Sequence, residues 1–247
     1  MQDKQPTIYT TIYNKSLAEK KLFGLLIDPE NYSFNQLERT VKAAEVAEVD
    51  FFLVGGSLVS TRIDTTLTAI KQLTKRPVIL FPGSPMQISF LADGILFLSL
   101  ISGRNPDFLI GNHVVAAPYL RKTNLEIIPT GYILVGGGGV SSVEYMSNTR
   151  PIPVDKPDIA VATALAGEML GQKLNYLESG SGAGNTVPEE LVRCVKKAVS
   201  IPVIVGGGVR TGVDVKNLYQ AGADIVVVGN AVEENYELLL ELTDVVR

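Results

Sequence analysis

The chemistry most visible in this chain lies in three glycine-centred segments: Tyr176-Leu-Glu-Ser-Gly-Ser-Gly182, Val205-Gly-Gly-Gly-Val209 and Val228-Gly-Asn230. Each follows a strand-like apolar run and precedes a helix-like one. Backbone N–H groups at a helix start, left open by small residues, form a cradle for an anion such as phosphate. One such loop is an ordinary strand-to-helix turn. Three at successive junctions imply strand ends that converge on one phosphoester. Glu178 stands inside the first loop. Phosphate repels a carboxylate, so this one suits the alcohol portion of a ligand, where it can take a hydroxyl proton; the bland alternative is a surface glutamate at a strand exit. Asp28 ends an early strand in Leu26-Ile-Asp-Pro29. A carboxylate there suits Mg2+, which takes one or two protein oxygens and fills its shell with water and substrate phosphate. It suits the start of a turn and a helix cap equally well, and residue types alone leave both readings open.

Apolar runs alternate with amphipathic stretches along the whole chain. Strands are expected at 22–28, 50–54, 77–81, 94–100, 125–135, 173–178, 202–205 and 224–228. Their near-continuous apolar character is that of parallel strands covered on both faces. Helices are expected over 33–47 and 61–73, and another after Asn105-Pro106, a favoured cap and first turn. Pro82, Gly83 and Pro85 leave no room for a full third crossover helix. The connection 136–171 is oversized and ends in an Ala-rich helix, Ile159 to Leu170, apolar nearly all round. That helix is expected to be buried twice, on the barrel and on another subunit. The fold expected is a single (β/α)8 TIM-type barrel over residues 1–247, with its phosphate site at the sixth to eighth strands.

The 247 residues are 46% hydrophobic and 19% charged, enough for one large core and far from disorder. A net charge of −4 excludes a broad nucleic-acid footprint. The start, MQDKQPTIYT, lacks a signal-peptide stretch, and no apolar run is long enough to span a bilayer, so a cytoplasmic protein is expected. Cys194, the only cysteine, reads as a small core residue, and His113, the only histidine, as structural or interfacial. Arg104 is a candidate either for an anion or for a subunit contact. Gly136-Gly-Gly-Gly139 lacks the spacing of a dinucleotide fingerprint and reads as a loop near the site.

The set Leu26-Ile-Asp-Pro29, Val54-Gly-Gly-Ser57, Phe81-Pro-Gly83, Tyr176–Gly182, Val205–Gly208 and Gly229-Asn230 resembles the geranylgeranylglyceryl phosphate synthase family. Gly131-Tyr132 and Tyr145-Met-Ser-Asn148 are similar to its larger, archaeal and Bacteroidetes-like branch. The resemblance implies a Mg2+-dependent prenyltransferase that joins a polyprenyl diphosphate to sn-glycerol 1-phosphate. It implies metal contacts from Asp28 and Ser57, and Glu178 as the catalytic base. Glycerol phosphate contacts follow from Tyr176, Leu177, Glu178, Ser179, Gly180, Ser181 and Gly182, from Gly207 and Gly208, and from Gly229 and Asn230. Where several relatives carry a basic residue after the Asp-Pro pair, this chain has Glu30 and Asn31. The helix after Pro106, with Phe108, Leu109, Ile110, Val114, Val115 and Tyr119, is a candidate wall for a prenyl groove. A homodimer or larger homo-oligomer is expected from the 159–170 helix. Rival readings are a phosphosugar isomerase or lyase, a flavin oxidoreductase and a non-catalytic phospholigand sensor. Gly207→Val is expected to raise the acceptor KM and leave the fold intact.

Overall fold

Short strands with apolar residues on both faces need two covers, and a closed barrel supplies them: its own interior and a ring of helices. The computed structural model describes residues 7–136 and 140–245. Its strands are β1 (Leu22–Ile27), β2 (Phe51–Val54), β3 (Val78–Leu80), β4 (Gly94–Leu100), β5 (Glu126–Gly136), β6 (Ile152–Pro153), β7 (Leu174–Glu178), β8 (Val203–Gly206) and β9 (Ile225–Val228). All pairings are parallel, in the order β4-β3-β2-β1-β9-β8-β7-β5-β6, and β4 also pairs with β5. That last pairing closes the ring. The two-residue β6 hangs on the end of β5 outside it, so the barrel has eight strands and its sixth to eighth are β7, β8 and β9.

The helices are α1 (Ile8–Leu17), α2 (Phe34–Val46), α3 (Ile63–Leu73), α4 (Asn112–Leu120), α5 (Ser142–Ser147), α6 (Pro157–Met169), α7 (Glu189–Ala198), α8 (Gly212–Gln220), α9 (Asn230–Glu234) and α10 (Leu238–Asp244). Between β3 and β4 only one 3-10 turn, Pro85–Gln87, remains of a crossover helix, as the prolines dictate. A wide turn, Asp107–Gly111, leads into α4, and Asn105 caps it by accepting from the Asp107 N–H at 3.0 Å. Ser33 and Gln36 form a reciprocal cap on α2, and Thr211 and Asp214 on α8. Among the described residues no helix is long and apolar enough to cross a membrane.

Alternate residues of each strand divide the core in two. Leu53, Ile79, Leu96, Ile128, Leu174, Tyr176 and Ile204 fill the barrel interior. Leu25, Ile27, Val54, Leu177 and Val205 face the helices. On α7 the buried face is Leu191, Val192 and Val195, which leaves Cys194 half-exposed at its edge. That corrects the reading of Cys194 as a core residue: the buried stripe is centred one position round the helix.

The element not anticipated is α1, which plugs the bottom of the barrel with Ile12. Its free N-terminal amides at Ile8 and Tyr9 donate to the two Glu126 carboxylate oxygens, at 2.6 and 2.9 Å. The negative charge there also meets the positive end of the helix dipole. We expect Glu126→Ala to lower unfolding free energy by about 2 kcal/mol, read by urea denaturation, with kinetic constants unchanged. A stability equal to wild type would show that α1 holds its place without this anchor.

Candidate active site

Parallel strands of a barrel all end on one rim, so Asp28, Ser57, Glu178 and the glycine loops must face a common space. Asp28, Ser57 and Glu178 line one cavity of about 500 Å³ with Tyr176, Ser181, Gly182, Gly207, Gly208, Gly229 and Asn230, whereas Ser179 and Gly180 of the first loop do not reach it. The alternation of β7 decides which side chains reach it. Tyr176 and Glu178 turn inwards, whereas the Leu177 side chain lies in the outer layer and Leu177 does not line the cavity.

Glu178 is buried at 5% exposure. Its Oε1 accepts from the Gly180 N–H at 2.8 Å. Burial pushes its carboxyl up to about 7, and the Gly180 amide and the Tyr176 hydroxyl pull it partly back. A glutamate poised near neutrality is suited to taking and giving a proton. The Tyr176 hydroxyl lies beside it, turned to the carboxylate at less than good hydrogen-bond geometry, whereas the Ser179 hydroxyl is buried with no partner. A buried orphan of this kind costs on the order of 1–3 kcal/mol, which a ligand oxygen would recover. Above Tyr176 the rings of Phe81 and Tyr132 gather, at 5.3 and 5.4 Å between centroids.

The backbone at the second loop approaches so closely that only glycine fits. Gly207 and Gly208 have φ of +81° and +67°, and a Cβ on Gly207 would sit 2.3 Å from Glu178 Oε1. A side chain at 207 would therefore strike the Glu178 carboxylate as well as the Gly180 amide. We therefore expect Gly207→Ala to lower kcat by about tenfold through displacement of that carboxylate, with any rise in acceptor KM secondary. Steady-state kinetics on a variant with wild-type circular dichroism checks it; an effect confined to KM would contradict the geometry.

In the third loop Asn230 does more than offer its amide. Its Oδ1 accepts from the Ser181 hydroxyl at 2.9 Å and the Gly182 N–H at 3.0 Å. Two donors expected for phosphate are thus held by Asn230, and an entering phosphate oxygen must take the place of Oδ1.

On the opposite side, Asp28 is half-buried and its Oδ1 accepts from the Glu30 N–H at 3.0 Å. Burial first, then the Glu30 charge, raises its carboxyl above the usual carboxylate value. Its carboxylate lies against the backbone of Gly56, where a Cβ would come within 2.5 Å of Oδ2. The fold therefore brings Asp28 next to the Gly56-Ser57 segment. Glu30 and Asn31 both have structural partners. Glu30 accepts from the Ser60 and Thr61 amides and pins the β2–α3 loop. Asn31 donates to Glu233 at 3.0 Å. Glu233 was not singled out in the sequence; it follows Asn230 by one helical turn and lines the same cavity.

A second cavity of about 110 Å³ adjoins the first and is apolar, with Gly56, Ser57, Phe81, Tyr132 and Val143 lining both. Its walls are mostly strand and turn residues, including Pro82, Pro85, Ile88, Leu96, Leu98 and Leu100. From the α4 region it takes Phe108, Asn112, His113 and Ala116. Of the residues expected for a groove Phe108 lines this cavity, whereas Ile110, Val114, Val115 and Tyr119 point to solvent. His113 is buried, bonded through Nε2 to the Ser99 hydroxyl at 3.0 Å and set edge-on against Phe97. Arg104 lies apart, in a shallow depression with Asn148 and Arg150, and donates to the Gly103 carbonyl. Of the Gly136–Gly139 loop, residues 137–139 lie outside the described residues.

The chain is thus a closed (β/α)8 barrel whose rim carries three glycine loops, a buried carboxylate and an adjoining apolar cleft. The sequence matches the PcrB family over residues 15–246. It is 49% identical to the geranylgeranylglyceryl phosphate synthase of Spirosoma linguale, over 96% of both chains. To the enzyme of the same name from Pyrococcus furiosus it is 45% identical, over 89% of this chain and 88% of that one. Among solved structures it superposes on (S)-3-O-geranylgeranylglyceryl phosphate synthase from Thermoplasma acidophilum, in complex with substrate sn-glycerol-1-phosphate. The TM-score is 0.92 at 38% identity, covering 98% of this chain and 99% of the other. The chain belongs to the PcrB family, that of the geranylgeranylglyceryl phosphate synthases, and is a prenyltransferase.

Proposed function

We propose that the protein joins geranylgeranyl diphosphate, or another polyprenyl diphosphate, to sn-glycerol 1-phosphate with the help of Mg2+. The products are 3-O-geranylgeranyl-sn-glyceryl 1-phosphate and diphosphate. The observation that carries this reading is Glu178, a buried carboxylate held near neutrality among three phosphate-type loops and at the edge of an apolar cleft. The acceptor's phosphate lies against Ser179–Gly182, Gly207-Gly208 and Gly229-Asn230. Its terminal hydroxyl faces Glu178 and the Tyr176 hydroxyl. The prenyl chain enters the apolar cleft, where each buried methylene contributes about 0.8 kcal/mol. As the hydroxyl oxygen bonds to the allylic carbon, the bond from that carbon to diphosphate breaks and Glu178 receives the proton.

The residues at Asp28 suit Mg2+. They offer one carboxylate and the neighbouring Ser57 hydroxyl on the wall of a polar cavity. Among the described residues there is no cluster of three His, Cys, Asp or Glu, and Mg2+ is commonly held by one or two carboxylates plus phosphate and water. When bound there it neutralises charge on the departing diphosphate.

An isomerase or lyase needs a second acid or base across the barrel. The inward positions of β5 hold Ile128, Thr130, Tyr132 and Leu134, with the Thr130 hydroxyl bonded to the Ile128 carbonyl, and burial holds the Tyr132 phenol well above its usual range. That favours transfer over isomerisation. Mass spectrometry after incubation with glycerol 1-phosphate, Mg2+ and a ladder of prenyl diphosphates should find one ether product. No product with any donor would sink the reading. The helix α6 buries Ala160, Ala164 and Gly167 and leaves Ile159, Met169 and Leu170 exposed, which supports self-association. Light scattering should give a dimer or larger assembly, and a monomer at micromolar concentration would refute it.

A further inference from the structure

Two sides of this site must act together, yet Asp28 and the glycine loops sit on separate elements. We propose that Glu233 is a positioning residue that couples the diphosphate side to the acceptor side. The inference rests on the substrate assignment above and deepens it.

Glu233 is half-buried on α9, and its Oε2 accepts from two side-chain amides. Asn31, in the turn that begins at Asp28, donates at 3.0 Å. Asn230, in the last glycine loop, donates at 3.1 Å. The main-chain N–H of Asp28 also favours its charged form, against burial and the Asp28 charge. The orientation of the Asn230 amide follows from its neighbours. The Gly182 N–H can only donate, so the atom facing it at 3.0 Å is Oδ1, and the NH2 group is left to face Glu233. Reversing the amide would set donor against donor at Gly182 and leave Glu233 one partner short.

This makes a continuous chain of hydrogen bonds from the Asp28 turn through Asn31, Glu233 and Asn230 to Ser181 and Gly182. The local reading, a side-chain contact within the first turn of α9, explains Asn230 and leaves the contact from Asn31 without a reason. A phosphate that takes the Ser181 and Gly182 donors releases Oδ1, and Asn230 then depends on Glu233 alone for its position. A charged group settling at Asp28 fixes Asn31, and with it the other side of the same carboxylate. Each ligand therefore stiffens the link that the other uses, and the effect must be equal in both directions.

The test is calorimetric titration of glycerol 1-phosphate with and without saturating Mg2+ and inorganic diphosphate. Wild-type protein should bind the acceptor about tenfold more tightly with the second ligand present. In Glu233→Ala that enhancement should vanish, while thermal unfolding and the affinity for each ligand alone stay within about threefold of wild type. Glu233→Gln keeps a carbonyl acceptor for the two amides and should restore most of it. Asn31→Ala cuts the link at its other end and should resemble Glu233→Ala. Retention of the enhancement in Glu233→Ala and Asn31→Ala would overturn the inference. Failure of Glu233→Gln to rescue would overturn it too, because charge and not hydrogen bonding would then be what matters. Wild-type protein that binds both ligands without enhancement sinks this inference alone; wild-type protein that binds neither sinks the substrate assignment with it.

Discussion

Glu178→Gln should lower turnover by roughly 10²–10⁴-fold, the scale of a positioned general base, while diphosphate binding on the Asp28 side hardly changes. Glutamine keeps the shape and can still accept from Gly180, so the loop has no reason to move. The pH profile separates a base from an anchor. With its carboxyl pushed up to about 7, Glu178 is ionised only above that value. For wild-type protein kcat/KM for the acceptor should therefore climb with pH and level off above about 7. A phosphate monoester itself titrates near 6, so any limb that survives in Glu178→Gln belongs to the substrate. A modest rate loss with a raised acceptor KM would make Glu178 an anchor and not a base.

The same shift has a stability consequence of opposite sense. An unfolded glutamate ionises near 4.5 and Glu178 near 7, so the folded state holds the extra proton between these values. Folding stability contributed by this group then falls as pH rises through that window, by on the order of 3 kcal/mol in total. Glu178→Gln removes the cost. The inactive variant should unfold at a higher temperature than wild type at pH 8 and at a similar one near pH 4.5. Equal melting at both pH values would mean that the carboxylate is better solvated than its burial implies.

Asp28→Asn should cost about 10³-fold in kcat, since a metal at a developing diphosphate supplies several kcal/mol of transition-state stabilisation. Asparagine can still accept from the Glu30 amide, so the turn keeps its anchor. Glycerol phosphate affinity measured without metal should be unchanged. Chelation should abolish wild-type activity and added Mg2+ restore it. Because burial and Glu30 raise the Asp28 carboxyl in the metal-free protein, protons compete for the site and more Mg2+ should be needed as pH falls. A fully active Asp28→Asn enzyme at low Mg2+ would place the metal elsewhere.

Much of the barrel was legible because its determinants are local. The eight strands follow from apolar runs bounded by Gly, Pro and Asp, and Pro82 to Pro85 rule out a crossover helix wherever they fall. The second loop announces itself because only glycine tolerates the close approach at Gly207 and Gly208. Period-two alternation already puts Tyr176 and Glu178 on one side of a strand. Local pattern was therefore enough for the ring, the rim that bears the site and the residue types on that rim. Tertiary structure decided everything that depends on distant residues meeting. The pairing of Glu126 with α1 spans over a hundred positions, and no local pattern marks it. The elevated Glu178 carboxyl is a product of burial, which exists only once the barrel has closed. The apolar cleft draws its walls from separate strands and turns, whereas most of the apolar α4 residues face outward, since helical periodicity fixes which residues share a face and not which way that face turns. Nothing in the chain links Asn31 and Asn230 to Glu233; they become one connection because parallel barrel strands deliver their loops to the same end.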